Sequence, residues 1–87
     1  MKRIMIAELS SYLNQEVVVS GWIHRLRKLG KIAFIILRDK SGLVQCVIDT
    51  KNIDIKDLKL ECVIKIKGTV KLAQGKSESL EIQVISI

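Results

Sequence analysis

Apolar and polar positions alternate with period two through most of this chain, and the alternation marks five candidate strands. EVVVSGWIHRL, Glu16 to about Leu26, reads as the first. IAFIILRD (32–39) and LVQCVID (43–49) are the second and third, joined by a KSG turn in which Gly42 suits a positive φ. CVIKIKGTVKLA (62–73) sets Cys62, Ile64 and Ile66 inward against Val63, Lys65 and Lys67. LEIQVISI (80–87) sets Leu80, Ile82 and Val84 inward. Ahead of the strands, IAELSSYLNQ carries Ile6, Leu9 and Leu13 at i, i+3 and i+7, the one-sided stripe of a short helix that Asn14-Gln15 ends. Three segments break the period. RKLGK is a basic loop, TKNIDIKDLKLE suits one short helix or irregular turns, and QGKSES is a polar loop.

Three meandering strands, a small insert and two further strands make the order of an OB fold. This is an all-β, five-stranded Greek-key barrel, with a short N-terminal helix and a short helix or turn between strands three and four. Gly21 in mid-strand fits, because closing a small barrel demands strongly coiled strands, and a missing Cβ permits the bend. A five-stranded SH3-like barrel ranks second, since it usually lacks an element at the insert's position.

Alternation divides strands two and three into faces. Ala33, Ile35 and Leu37 share one face of strand two, and Ile32, Phe34 and Ile36 the other. On strand three Val44, Cys46 and Ile48 oppose Leu43, Gln45 and Val47. A buried glutamine is unusual, so Gln45 marks its face as the open one, and hairpin pairing brings Phe34 to the same face. The adjoining RLRKLGK carries Arg25, Arg27, Lys28 and Lys31, and Lys76 in QGKSES can reach a ligand from the opposite loop. A ring, an amide and a basic rim are what single-stranded nucleic acid uses: bases stack on the ring and phosphates follow the cations. The amide can pair with a base edge. Periodicity alone also admits Phe34 as ordinary core with Gln45 at a solvated rim. Trp22 reads as a packing anchor at the barrel's edge, Tyr12 as a contact between helix and barrel, and His24 as a bystander.

Composition narrows the classes. The chain has 87 residues, enough for one core and too few for a core plus a deep enzyme cleft. Fifteen Lys+Arg against nine Asp+Glu give a net charge of +6, which suits an anionic partner. Cys46 and Cys62 fall at core-facing parity and read as small buried hydrophobes of a reducing compartment. With one histidine they are too few for a zinc site, so no metal is expected. The longest apolar run, Ile32 to Leu37, is far short of the roughly 20 residues that span a bilayer, and no membrane association is expected. No Ser/His/Asp or Cys/His set can be assembled around a single histidine, and no glycine-rich phosphate loop is present. Asp39, Asp49, Asp54 and Asp57 stand where short acceptors serve the backbone.

The block GWIHRLRKLGKIAFIILRDKSGLVQCVID, with LECVIKIKG and LEIQV after it, resembles the N-terminal anticodon-binding domain of aspartyl- and asparaginyl-tRNA synthetases, which are class II enzymes. The resemblance covers nearly the whole chain, and its Gly-Trp, Arg, Phe, Asp, Gly and Gln stand in family order. It implies that Phe34 stacks on the central anticodon uridine, that Gln45 hydrogen-bonds that base, that Arg27 contacts the anticodon and that Arg25 helps hold the backbone. Lys28, Lys31 and Lys76 would then neutralise phosphates, and third-letter discrimination would come from Ala73 to Glu78. The segment between strands three and four is shorter than usual in the family, which implies an insert of a turn or two.

On this resemblance residues 1–87 are a single OB-fold anticodon-binding domain without the family's catalytic domain. The chain itself would be no enzyme and need no cofactor. Its parent would be an ATP-dependent aspartate(asparagine)–tRNA ligase, closer to the archaeal or non-discriminating aspartyl kind, with ATP and Mg in the catalytic domain. That parent is expected to be a cytoplasmic homodimer whose partner here is the tRNA anticodon loop. A sequence-tolerant single-strand binder and a protein-interaction barrel are the alternatives.

Overall fold

Strands β1 (Glu16–Leu29), β2 (Ile32–Asp39), β3 (Gly42–Asp49), β4 (Val63–Leu72) and β5 (Leu80–Ser86) close into a barrel in the order β1-β2-β3-β5-β4. The computed structural model describes residues 3–56, 58–73 and 79–87. All neighbours pair antiparallel except β3 and β5, which run parallel through Gln45↔Glu81, Cys46↔Ile82 and Val47↔Gln83. This is the predicted five-stranded OB barrel.

The interior is the inward half of each alternating strand: Val17, Val19 and Ile23 from β1, Ala33, Ile35 and Leu37 from β2, and Val44, Cys46 and Ile48 from β3. Ile66, Val70 and Ile82 complete it, all buried. Removing such a side chain from water is worth about 1.5–3 kcal/mol, so the alternation that predicts the strands also supplies their cohesion. Cys62 is only half-buried, because it precedes β4 at the barrel's end rather than lying in its wall. Trp22 lies on the outer side, with the Arg38 guanidinium 5.7 Å from its ring centroid, and Tyr12 packs against the core as predicted.

Closure depends on close approach at Gly21. A Cβ there would collide with the Arg38 carbonyl group on β2. Two residues on, β1 slips register between Ile23 and Arg25, a bulge at His24. Gly21 and His24 together give β1 the bend that lets it pair with β4 on one side and β2 on the other.

The structure corrects three further expectations. RKLGK is not a loop: β1 continues to Leu29, paired residue by residue with β2, and only Gly30 and Lys31 turn the chain. Gly30 has φ +62°, the left-handed value that two-residue hairpins favour. Cross-strand pairing with an apolar partner strand overrides the segment's local charge. Gly42 has no positive φ. The β2–β3 turn is instead set by Asp39, whose carboxylate accepts the N–H groups of Ser41 (2.7 Å) and Gly42 (3.1 Å).

The N-terminal helix is a 3₁₀ helix, Ile6–Tyr12. At three residues per turn Ile6, Leu9 and Tyr12 line up toward the barrel, which leaves Leu13 off the stripe and 37% exposed. Asp39 and Ser41 cap it from outside, accepting the N–H groups of Ile6 (2.9 Å) and Ala7 (2.9 Å). The segment from Thr50 to Cys62 forms successive turns among its described residues, beginning where Asn52 N–H and Ile53 N–H both donate to the Asp49 carbonyl at 3.1 and 3.2 Å.

Candidate nucleic-acid interface

Strand register assembles the outer face in rows. One row runs Arg25–Ile36–Gln45–Glu81–Lys71 across β1, β2, β3, β5 and β4. The next runs Arg27–Phe34–Val47–Gln83–Thr69 over the same strands. Phe34 and Gln45 are therefore diagonal neighbours on one face, within reach of side chains of their size. Phe34 is half-buried, absent from the core, and lines an open groove of about 1210 Å³ with Ile36, Gln45, Val47, Glu81 and Lys71 among its walls. Of the two readings left open by periodicity, display is the one observed: Ile35, Leu37 and Cys46 point the other way, each 0% exposed.

The bulge at His24 decides which basic residues share this face. Upstream of it the odd-numbered residues Val17, Val19 and Ile23 point inward. Unbroken alternation would send Arg25 and Arg27 after them. The extra residue reverses the parity, so Leu26 packs against the core while Arg25 and Arg27 turn outward beside Ile36 and Phe34. Lys28 pairs with buried Ala33 and so alternates away from the Phe34 face, exposed near the strand's end. Lys31 sits in the β1–β2 turn. Lys76, like the rest of 74–78, lies outside the described residues; Ala73 lines the groove.

Gln45 does not stand free. Its Nε2 donates to Glu81 Oε2 across 3.4 Å, a partly buried contact between β3 and β5. One amide hydrogen is thus turned toward Glu81, leaving Oε1 and the second hydrogen for a ligand. On the far side Lys71 Nζ donates to Asn14 Oδ1 at 3.3 Å. Sequence reasoning missed Glu81, Gln83 and Lys71. Their parity on β4 and β5 was legible, but not the register that sets Glu81 beside Gln45, Gln83 beside Val47 and Lys71 beyond Glu81.

Chemically the face offers an aromatic ring, an oriented amide and guanidinium groups. No group of three or more His, Cys, Asp or Glu residues that could hold a metal occurs among the described residues. No helix among them is long and apolar enough to cross a membrane.

A barrel of this topology with such a face defines an oligonucleotide-binding class, and the chain belongs to it: the tRNA anti-codon family model, described as OB-fold nucleic acid binding domain, matches residues 17–87. Within the family the chain is similar to ligases for aspartate and asparagine. It is 42% identical over 74 residues to the aspartate–tRNA(Asp/Asn) ligase of Methanococcus vannielii, covering 78% of this chain and 17% of the ligase. It is 46% identical over 71 residues to the cytoplasmic asparagine–tRNA ligase of Saccharomyces cerevisiae, covering 77% of this chain and 13% of that one. In fold it matches the asparaginyl-tRNA synthetase of Pyrococcus horikoshii complexed with asparaginyl-adenylate, with a TM-score of 0.82 and 23% identity over 97% of this chain and 21% of that one. The chain spans between 10% and 22% of the length of the most similar curated relatives.

Proposed function

We propose that this barrel is the anticodon-binding module of an aspartate- or asparagine-type tRNA ligase, and that it holds the central anticodon base on Phe34. The observation that carries the reading is the half-buried Phe34 ring on an open groove, register partner of Arg27 and diagonal to Gln45. The ring supplies a face for an unstacked base. Gln45 presents an acceptor and a donor on one amide, complementary to the N3–H and O4 of uracil, and Glu81 fixes its orientation. Arg27 reaches the base or its phosphate from β1, and Arg25, Lys28, Lys31 and Lys76 neutralise the backbone.

Residues 1–87 act on this reading as one binding domain and perform no chemistry. ATP and Mg belong to a catalytic part of the parent ligase, which works in the cytoplasm.

A second reading, a sequence-tolerant single-strand binder, draws on the apolar groove walls Ile32, Ile36 and Val47. Titrating labelled RNA hairpins that carry an anticodon loop separates the two. The anticodon reading expects the hairpin with a central uridine to bind more tightly than its central-cytidine counterpart and than oligo-dT. Equal affinity for all three would overturn it.

A further inference from the structure

The groove under Phe34 does not end at Ile32. A second concavity of about 370 Å³ adjoins it, and Ile32, Val47 and Gln83 line both. Its rim carries Lys31 from the β1–β2 turn and Lys51 from the segment after β3. Thr50 fastens those two segments together: its N–H (3.0 Å) and its hydroxyl (2.8 Å) both donate to the Lys31 carbonyl. The two lysines are therefore held beside one opening by backbone, although they are twenty residues apart in sequence.

Neither lysine makes an ion pair among the described residues, whose ion pairs are Lys56–Asp54 and Lys67–Glu16. Asp49 is the acid in the lining, and its carboxylate is committed to its own turn, accepting from Lys51 N–H (2.9 Å) and Asn52 Nδ2 (3.2 Å). The concavity has no aromatic ring on which a base could stack. Two lysines line this opening at the end of the groove proposed to take a base, which is chemistry for a phosphodiester.

We propose that this second concavity is a phosphate subsite, in which Lys31 and Lys51 hold the backbone of the nucleotide adjacent to the one stacked on Phe34. The assignment rests on the anticodon reading and adds to it a position, a ligand group and a residue, Lys51, remote in sequence from the basic block.

The test uses the 87-residue chain, wild type and the doubly substituted Lys31→Gln/Lys51→Gln form, with Phe34→Ala beside them. The probe is an RNA hairpin with an uridine-centred anticodon loop, titrated between 50 and 200 mM NaCl. A second probe is the same hairpin with one methylphosphonate linkage flanking the uridine, on either side in turn. Both lysines are exposed, so the substitutions leave the thermal midpoint unchanged. The double variant is expected to lose about 0.7 from the slope of log affinity against log salt, roughly a 2–3-fold smaller salt effect over that range, as one phosphate contact requires. One of the two neutral linkages weakens wild type and leaves the double variant unaffected. Wild-type affinity and salt slope in the double variant, alongside lost binding in Phe34→Ala, would overturn the subsite and leave the anticodon reading standing. Unchanged binding in Phe34→Ala, with no preference for uridine, would overturn both.

Discussion

Arg27 and Phe34 are register partners across β1 and β2, and they share the outer face because β1 slips by one residue at His24. The neighbouring cation, Lys28, pairs with buried Ala33 and alternates the other way. Two adjacent basic residues should therefore differ in what they do. Arg27→Ala should weaken binding of the anticodon hairpin about tenfold or more, since hydrogen bonds to a charged group are worth about 1.5–3 kcal/mol. Lys28→Ala should cost only a few-fold and act through the salt dependence. Fluorescence anisotropy titrations of the two variants check this, and equal losses would contradict the parity.

Gly21→Ala should destabilise the barrel by about 3 kcal/mol, the upper end of the cost of forcing extra volume into a packed site. The added Cβ meets the backbone carbonyl of Arg38, which cannot move without opening the β1–β2 ladder. Gly30→Ala provides the comparison. Its Cβ would meet nothing within 4 Å, but φ is +62°, so the cost should be about 1–2 kcal/mol. Urea unfolding of both variants gives the order directly.

Asp39 joins three parts of the molecule. Its carboxylate accepts from Ile6 N–H (2.9 Å), the Ser41 hydroxyl (2.6 Å) and the N–H groups of Ser41 and Gly42. Burial alone would raise its pKa; the Ser41 hydroxyl and the three N–H donors outweigh it and hold the carboxyl below its ordinary 3.8. A depressed carboxyl stabilises the fold fully above its unfolded value, and the contribution is lost as pH falls through the folded one. Wild type should therefore lose urea resistance as pH drops below about 4, and Asp39→Asn should start about 1–3 kcal/mol less stable at pH 7 with a flatter acid limb. Parallel acid limbs would contradict the assignment.

The two thiols should react differently. Burial pushes the Cys46 thiol up to about 12, so almost none is thiolate at pH 8. Cys62 is half-buried at the barrel's end. A disulfide reagent at pH 8 should titrate one thiol in the native protein and two in urea, with Cys62→Ser abolishing the native signal.

Much of this was legible in the sequence, for a physical reason. Where a sheet has one wet and one dry face, alternation reports which side chains are enclosed, so the division of β2 and β3 into Ala33-Ile35-Leu37 and Ile32-Phe34-Ile36 follows from periodicity. Phe34 on the open face follows from Gln45 and from family likeness together. A bulge leaves no such trace. The slip at His24 adds one residue without changing composition, so the facing of Arg25 and Arg27 was hidden, and the basic RKLGK read as a loop although β1 continues through it to Leu29. Non-local pairing was equally hidden: Glu81 reaches Gln45 only because β5 runs beside β3. The helix was found but not its pitch, because Ile6 and Leu9 satisfy both a 3.6- and a 3.0-residue turn, and Leu13 alone tells them apart.

The most direct test asks whether the Phe34 ring and the central base act on each other. Affinities are measured for wild type and Phe34→Ala, each against the anticodon hairpin and against the same hairpin lacking only the central base. The expected result is a loss of about 1–3 kcal/mol for Phe34→Ala on the intact hairpin, as for one stacked base, and no further loss on the abasic one, where the ring has nothing to hold. A substitution that costs the same on both RNAs, or nothing on either, would contradict the stacking site.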